Sequence, residues 1–242
     1  MNHTFRIHVV LPRDYAIHTN RAYPLVYLND GQNQLTDQGA FGGWHADRTA
    51  AWLMREGRMQ EAVLAAVEMH PDRNRAFFPQ GELSTPHGQA DIYTQLLAGR
   101  VLEALRARYR LLQQPMTIIG SSNGAIHALF AGLSRPDAFG GIGCLSYAVM
   151  QPERNVETIA SSSRLPLSRV YLDCGTRWGE SDDESHSHDN VPITYTLREL
   201  LLQRGMILEE TLRFVLGYGD AHNELAWRRR IAGCLEFLLP PA

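Results

Sequence analysis

The stretch MTIIGSSNGAIHAL, residues 116–129, runs from a short apolar segment through Gly-Ser-Ser-Asn-Gly into an amphipathic continuation. Its first half (Thr117, Ile118, Ile119) reads as a strand buried on both faces. Its second half reads as a helix, with Ala125, Leu129 and Ala131 available to pack. A strand that turns into a helix over Gly-x-Ser-x-Gly has the spelling of a nucleophile elbow: the serine sits on a strained turn with its hydroxyl exposed, and small neighbours keep strand and helix from clashing. Gly120 and Gly124 would supply that space. The plainer alternative for Ser122 is a helix N-cap after a strand, and the rest of the chain has to decide between the two.

TFRIHVVLP (4–12) alternates and reads as an early strand, and further short apolar runs lie on either side of the elbow: YPLVYLND (23–30), AVLAAVEM (62–69), SRVYLDCG (168–175) and TLRFVLG (211–217). Runs of this length bounded by Gly, Pro or Asn-Asp are what doubly covered strands look like. Helical patterns separate them. Residues 90–112 place Ile92, Leu96, Leu97, Val101, Leu105 and Tyr109 on one side. Residues 193–205 end in Gly205, a helix stop, and residues 223–239 close the chain before Pro240. Strands alternating with helices predict a mostly parallel central sheet with helices on both faces, an α/β fold in one domain over residues 1–242. The polar, acidic segment WGESDDESHSHDNVP (178–192) reads as a surface loop directly after a strand.

A serine hydroxyl needs a base to take its proton. In strand–turn–helix hydrolases the base is a histidine in the loop after the last strand. His222 occupies that place in RFVLGYGDAHNELAW; His127, along the elbow helix, reads as a packed or surface residue. The base in turn needs a carboxylate, expected after the penultimate strand. Asp173 lies inside that strand, so Glu180 is the first choice, with Asp182 next and Asp183 behind it. The first N–H of the elbow helix, from Asn123, and the N–H of Gln32 in the turn Asp30-Gly31-Gln32 are the expected oxyanion-hole donors.

Composition excludes other classes. A formal net charge of -3 leaves no electrostatic footprint for nucleic acid or an anionic membrane, and the basic run WRRRIAG near residue 230 reads as the polar face of the last helix. No apolar run reaches the roughly 18 residues of a membrane span. Cys144, Cys174 and Cys234 are an odd, scattered set in apolar runs, hence buried free thiols and a reducing, cytoplasmic setting. Glu184, His186, His188 and Asp189 are the one candidate metal cluster, and they lack a further distant ligand; neither metal nor cofactor is expected.

With these residues in place, the chain resembles the α/β-hydrolase esterase family that contains enterochelin (ferric-siderophore) esterases and feruloyl esterases. The resemblance runs from about residue 5 to 239 and rests on VVLPRDY, YPLVYLNDGQN, GWHADRTA, IIGSSNGA, VYLDCGT and GDAHNELAWRRR. It implies that Ser122 is the nucleophile, His222 the base, and the amides of Gln32 and Asn123 the oxyanion hole. It also implies that Trp44 and Arg75 line the acyl-binding cleft. Two positions depart from the pattern: Trp178 stands where relatives carry an acid, and Asn123-Gly124 where they carry Met/Phe-Gly. The expected function is a serine carboxylic-ester hydrolase acting on a small-molecule ester. An acyltransferase with the same site, or a binding protein on a hydrolase fold, are the alternatives. The aromatics Phe41, Trp44, Phe77 and Phe78 suggest either an apolar acyl pocket or lid packing.

Overall fold

The unbroken apolar runs become strands whose alternate side chains enter two different cores. In β2 (Leu25–Leu28), Val26 and Leu28 pack on one face of the sheet while Leu25 and Tyr27 pack on the other. In β3 (Val63–Val67), Leu64 and Ala66 oppose Val63, Ala65 and Val67 in the same way. A period of two leaves no polar position in a strand covered on both sides. The structure, a computed structural model, describes residues 4, 6–37, 42–69, 72–82, 85–147, 153–177 and 190–241.

The chain begins with β1 (Ile7–Val10), continues through β2, a 3₁₀ turn (Gly31–Asn33), α1 (Ala46–Arg55), β3 and α2 (Arg73–Phe77), and makes a small antiparallel pair, β4 (Gln80–Glu82) with β5 (Thr85–His87). Helix α3 (Ala90–Leu96) passes through a π turn (Leu97–Val101) into α4 (Leu102–Arg106). Then follow β6 (Met116–Ser122), α5 (Asn123–Ser134), β7 (Phe139–Tyr147), α6 (Glu153–Ser161), β8 (Arg169–Gly175), α7 (Asn190–Gln203), β9 (Leu212–Gly217) and α8 (Glu224–Leu238). The large sheet has the order β1-β3-β2-β6-β7-β8-β9 and is parallel except at the β1–β3 edge. Helices α1 and α8 close one face with Ala50, Leu53, Ile231 and Leu235. On the other face, Tyr93, Ile126, Leu129, Leu197 and Leu201 come from α3, α5 and α7.

This order has a consequence for the site. From β2 the chain moves to β3 on one side, then crosses back over β2 to reach β6 on the other. Strand order therefore reverses between β2 and β6, and a crevice opens where connections leave in opposite directions at the carboxyl ends of such a pair. The turn carrying Gln32 follows β2 and Ser122 ends β6, so both stand at the switch point.

Three departures from the sequence pattern have physical causes. Strand β7 contains Gly140, Gly141 and Gly143, which dilute its hydrophobic signal. A Cβ at Gly141 would lie 2.6 Å from Thr117 Oγ1, and one at Gly143 2.8 Å from Ile119 Cγ1 and 2.9 Å from Cys234 Sγ, so the glycines admit β6 and α8 at close range. In the long helix Ile92 is 45% exposed, and Tyr93, one turn before Leu97, takes the inward place against Phe77 and His127. The π turn leaves the Leu97 carbonyl to accept a 3.0 Å hydrogen bond from the Tyr27 hydroxyl. Finally, Arg230 is not on the polar face of α8. It is buried and paired with the fully buried Asp173 on β8. The three cysteines are free and buried.

Candidate active site

Position 120 accepts only glycine, because a Cβ there would collide with the backbone carbonyl of Gly124 where β6 and α5 meet. The chain turns at Ser122, with φ 53° and ψ −126°, and enters α5 at the next residue. Such a backbone in a non-glycine residue stores about 1–3 kcal/mol and persists only where the surroundings enforce it. Ser122 makes no side-chain capping bond to α5, so the N-cap alternative fails. The N–H of Asn123 is one of the unpaired donors at a helix start, where the helix dipole favours negative charge. The Asn123 side chain donates to Asn74 Oδ1 at 2.9 Å, tying the turn to α2.

The turn after β2 is built as firmly. Asn29 Nδ2 donates to the Gly124 carbonyl at 3.0 Å, and Gln34 Nε2 donates to the Asn29 carbonyl at 2.8 Å. Asp30 adopts the left-handed conformation, φ 57° and ψ 50°, and launches the 3₁₀ turn that carries the Gln32 N–H. A Cβ on Gly31 would come within 2.6 Å of the Val67 backbone, so this turn, too, requires glycine. The exposed Gln32 anchors its side chain by accepting the Met69 N–H at 3.0 Å. His127 is packed beneath: it accepts from Asn29 Nδ2 (3.1 Å), its Nε2 donates to Thr94 Oγ1 (3.1 Å), and it stacks on Phe77. Burial pushes its pKa down to about 3, so it is a neutral structural residue.

His222 is carried in from the far edge of the sheet. Past Gly217 the loop bends over the end of β8: Arg177 N donates to the Asp220 carbonyl (3.0 Å) and Gly219 N donates to Thr176 Oγ1 (2.8 Å). Asp220 accepts from Arg229 and Arg230, and Asn223 caps α8 by accepting the Ala226 N–H. The His222 ring then stands edge-on to Trp227, centroids 5.3 Å apart. Trp227 Nε1 donates to Ser146 Oγ at 3.0 Å, at the end of β7, and the next residue, Tyr147, is in register with Ser122. One chain of contacts thus leads from the Ser122 turn to the His222 ring. Burial, aided by the positive charges of Arg230 and Arg73, pushes the His222 pKa down to about 4.

Several expected residues land elsewhere. Trp44 is buried, its ring 5.7 Å from that of Trp227, so it backs the residue that holds His222. Phe77 and Phe78 are buried in the core on the α3–α5 side of the sheet; Phe41 lies outside the described residues. Arg75 is exposed on α2, and the inward guanidinium there is that of Arg73, which grips Asp30 through Nε and Nη2 at 2.8 Å each. Glu180, Asp182, Asp183 and the metal candidates Glu184, His186, His188 and Asp189 lie outside the described residues. Among the described residues no cluster could hold a metal ion, and no helix is long and apolar enough to cross a membrane. Asp173, at 0% exposure, is engaged by Arg230 and by the Ser146 N–H at 2.7 Å. Glu224 accepts from Asn33 Nδ2 at 3.0 Å.

Comparison with known proteins agrees with this architecture. The chain is 23% identical to the uncharacterised protein YbbA of Bacillus subtilis (strain 168), over 96% of this chain and 92% of that one. Among solved structures it superposes on a ferulic acid esterase with a TM-score of 0.75 at 16% identity, covering 100% of this chain and 94% of the other. The siderophore hydrolase EstB from Aspergillus nidulans gives 0.71 at 21% identity, covering 98% and 92%. The enterobactin esterase FES from Shigella flexneri gives 0.75 at 18%, over 98% of this chain and 55% of that longer one. These likenesses establish the α/β-hydrolase fold, with a mostly parallel sheet between helices. Residues 1–232 match the family described as "Putative esterase", and the chain belongs to that family of hydrolases.

Proposed function

We propose that the protein is a serine carboxylic-ester hydrolase working through an acyl-enzyme, with Ser122 as nucleophile and His222 as general base. The observation that carries this reading is the backbone of Ser122, a strained, uncapped serine between a buried strand and a helix at the switch point of the sheet. On that reading the turn is a nucleophile elbow. His222 Nε2 removes the Ser122 proton as Oγ attacks the ester carbonyl. The amides of Gln32 and Asn123 stabilise the oxyanion, each donor supplying about 3 kcal/mol. The imidazolium returns its proton to the leaving alcohol, and water repeats the sequence on the acyl-enzyme. The carboxylate that orients His222 is assigned to the loop after β8, with Glu180 ahead of Asp182 and Asp183. The likeness to a ferulic acid esterase and a siderophore hydrolase supports a small-molecule ester as substrate. A fluorophosphonate probe is expected to label the peptide containing Ser122. Absence of labelling in folded protein would instead favour an inert binding protein on this fold.

The low pKa of His222 gives a second expected outcome. A base must be unprotonated, so kcat/KM falls only as pH drops through the free-enzyme pKa. With that value at about 4 in place of the ordinary imidazole 6.5, the rate for a neutral ester stays level from pH 7 to 5 and halves near pH 4. A half-maximum near 6.5 would instead show that the carboxylate facing His222 offsets its burial.

A further inference from the structure

We infer that Arg73 is a positioning residue that fixes the spacing of the two oxyanion donors, an inference that rests on the serine-hydrolase reading. The Gln32 and Asn123 amides belong to different elements, the turn after β2 and the start of α5. An oxyanion hole works only if both donors lie within about 2.7–3.1 Å of one oxygen. Arg73 bridges those elements. Its Nε and Nη2 donate to the two oxygens of Asp30 at 2.8 Å each, and the Asp30 carboxylate is almost fully buried, two residues before Gln32. The same Nη2 reaches the Ser121 carbonyl at 3.4 Å, one residue before the nucleophile.

Both ends of this bridge are held. The guanidinium lies over the Phe77 ring at 5.1 Å, and Phe77 stacks on His127, which is bonded to Asn29. On the other side, a Cβ added to Gly124 would come within 3.0 Å of Asp30 Oδ2, so the carboxylate sits against the first turn of α5. The left-handed backbone of Asp30 is thus kept by a two-pronged, planar contact that ammonium cannot reproduce. The role depends on shape as well as charge, and this separates it from two rivals. A cation that merely repels the His222 proton, or that merely attracts an anionic substrate, would be replaced adequately by lysine.

The test is a cycle of Arg73→Lys, Asp30→Asn and the double variant, assayed on p-nitrophenyl acetate, which carries no charge. Arg73→Lys retains a countercharge for the buried Asp30, and its folding is checked by circular dichroism and thermal melting. Expected are a fall in kcat of about 100-fold, the usual effect of a misplacement near 1 Å, a KM within about threefold of the parent, and an unmoved acid limb. The double variant should be no slower than the worse single one, because both substitutions open the same clamp. Unchanged kcat in folded Arg73→Lys, a rise confined to KM, or additive losses in the double variant would each overturn the inference. Parent protein labelled at Ser122 keeps the hydrolase reading intact in those cases, and unlabelled parent removes that reading and this one together.

Discussion

Replacing Ser122 by alanine is expected to lower kcat/KM for a short p-nitrophenyl ester by about 10⁴- to 10⁶-fold, while the protein melts at the temperature of the parent. The first part follows from the chemistry: without Oγ no acyl-enzyme forms, and oxyanion donors and binding alone leave only a small residue of catalysis. The second follows from the structure. The hydroxyl makes no capping bond to α5, and alanine meets the same backbone strain as serine at φ 53°. Steady-state kinetics together with a thermal melt check both halves. Equal hydrolysis by variant and parent would remove Ser122 from the mechanism.

Arg230→Met is expected to destabilise the fold by about 3–5 kcal/mol, the range for breaking a buried ion pair by removing one partner. Arg230 binds Asp173 through Nε at 2.9 Å and donates to Ser146 Oγ at 2.9 Å; it also grips Asp220. Methionine fills similar space but leaves the carboxylate of Asp173 enclosed without its guanidinium, although the Ser146 N–H still donates to it at 2.7 Å. The Asp220 side of the loop that delivers His222 loosens at the same time, so activity falls beyond the loss of stability. Urea unfolding measures the first effect. The double variant Arg230→Met/Asp173→Leu should recover much of the stability, since the orphaned charge is then gone. A loss below 1 kcal/mol in Arg230→Met would show that the pair is not what holds this loop.

The parts of this molecule that were legible in its sequence are those governed by local rules. MTIIG, YPLVYLND, AVLAAVEM, SRVYLDCG and TLRFVLG all contain strands, because cover on both faces favours a short continuous apolar run bounded by turn residues. The glycine, serine and helix order around residue 122 foretold a sharp strand-to-helix turn. What stayed hidden was set by partners distant in the chain. Arg230 reads as a surface cation until Asp173 is seen beside it, and nothing local singles out Arg73 until Asp30 is found in its grip. Trp44 reads as a cleft aromatic until Trp227 is found against it. Strand β7 was obscured because its glycines answer to the bulk of Thr117, Ile119 and Cys234, none of which is its neighbour in sequence.

The strand order also dictates when the molecule can begin to work. Val26 pairs with Thr117, so the two halves of the crevice are strangers until strands 91 residues apart have come together. On the proposed mechanism the His222 loop completes that crevice when Trp227 of α8 docks against Ser146. On that mechanism the appearance of esterase activity during refolding times the seating of α8 against β7.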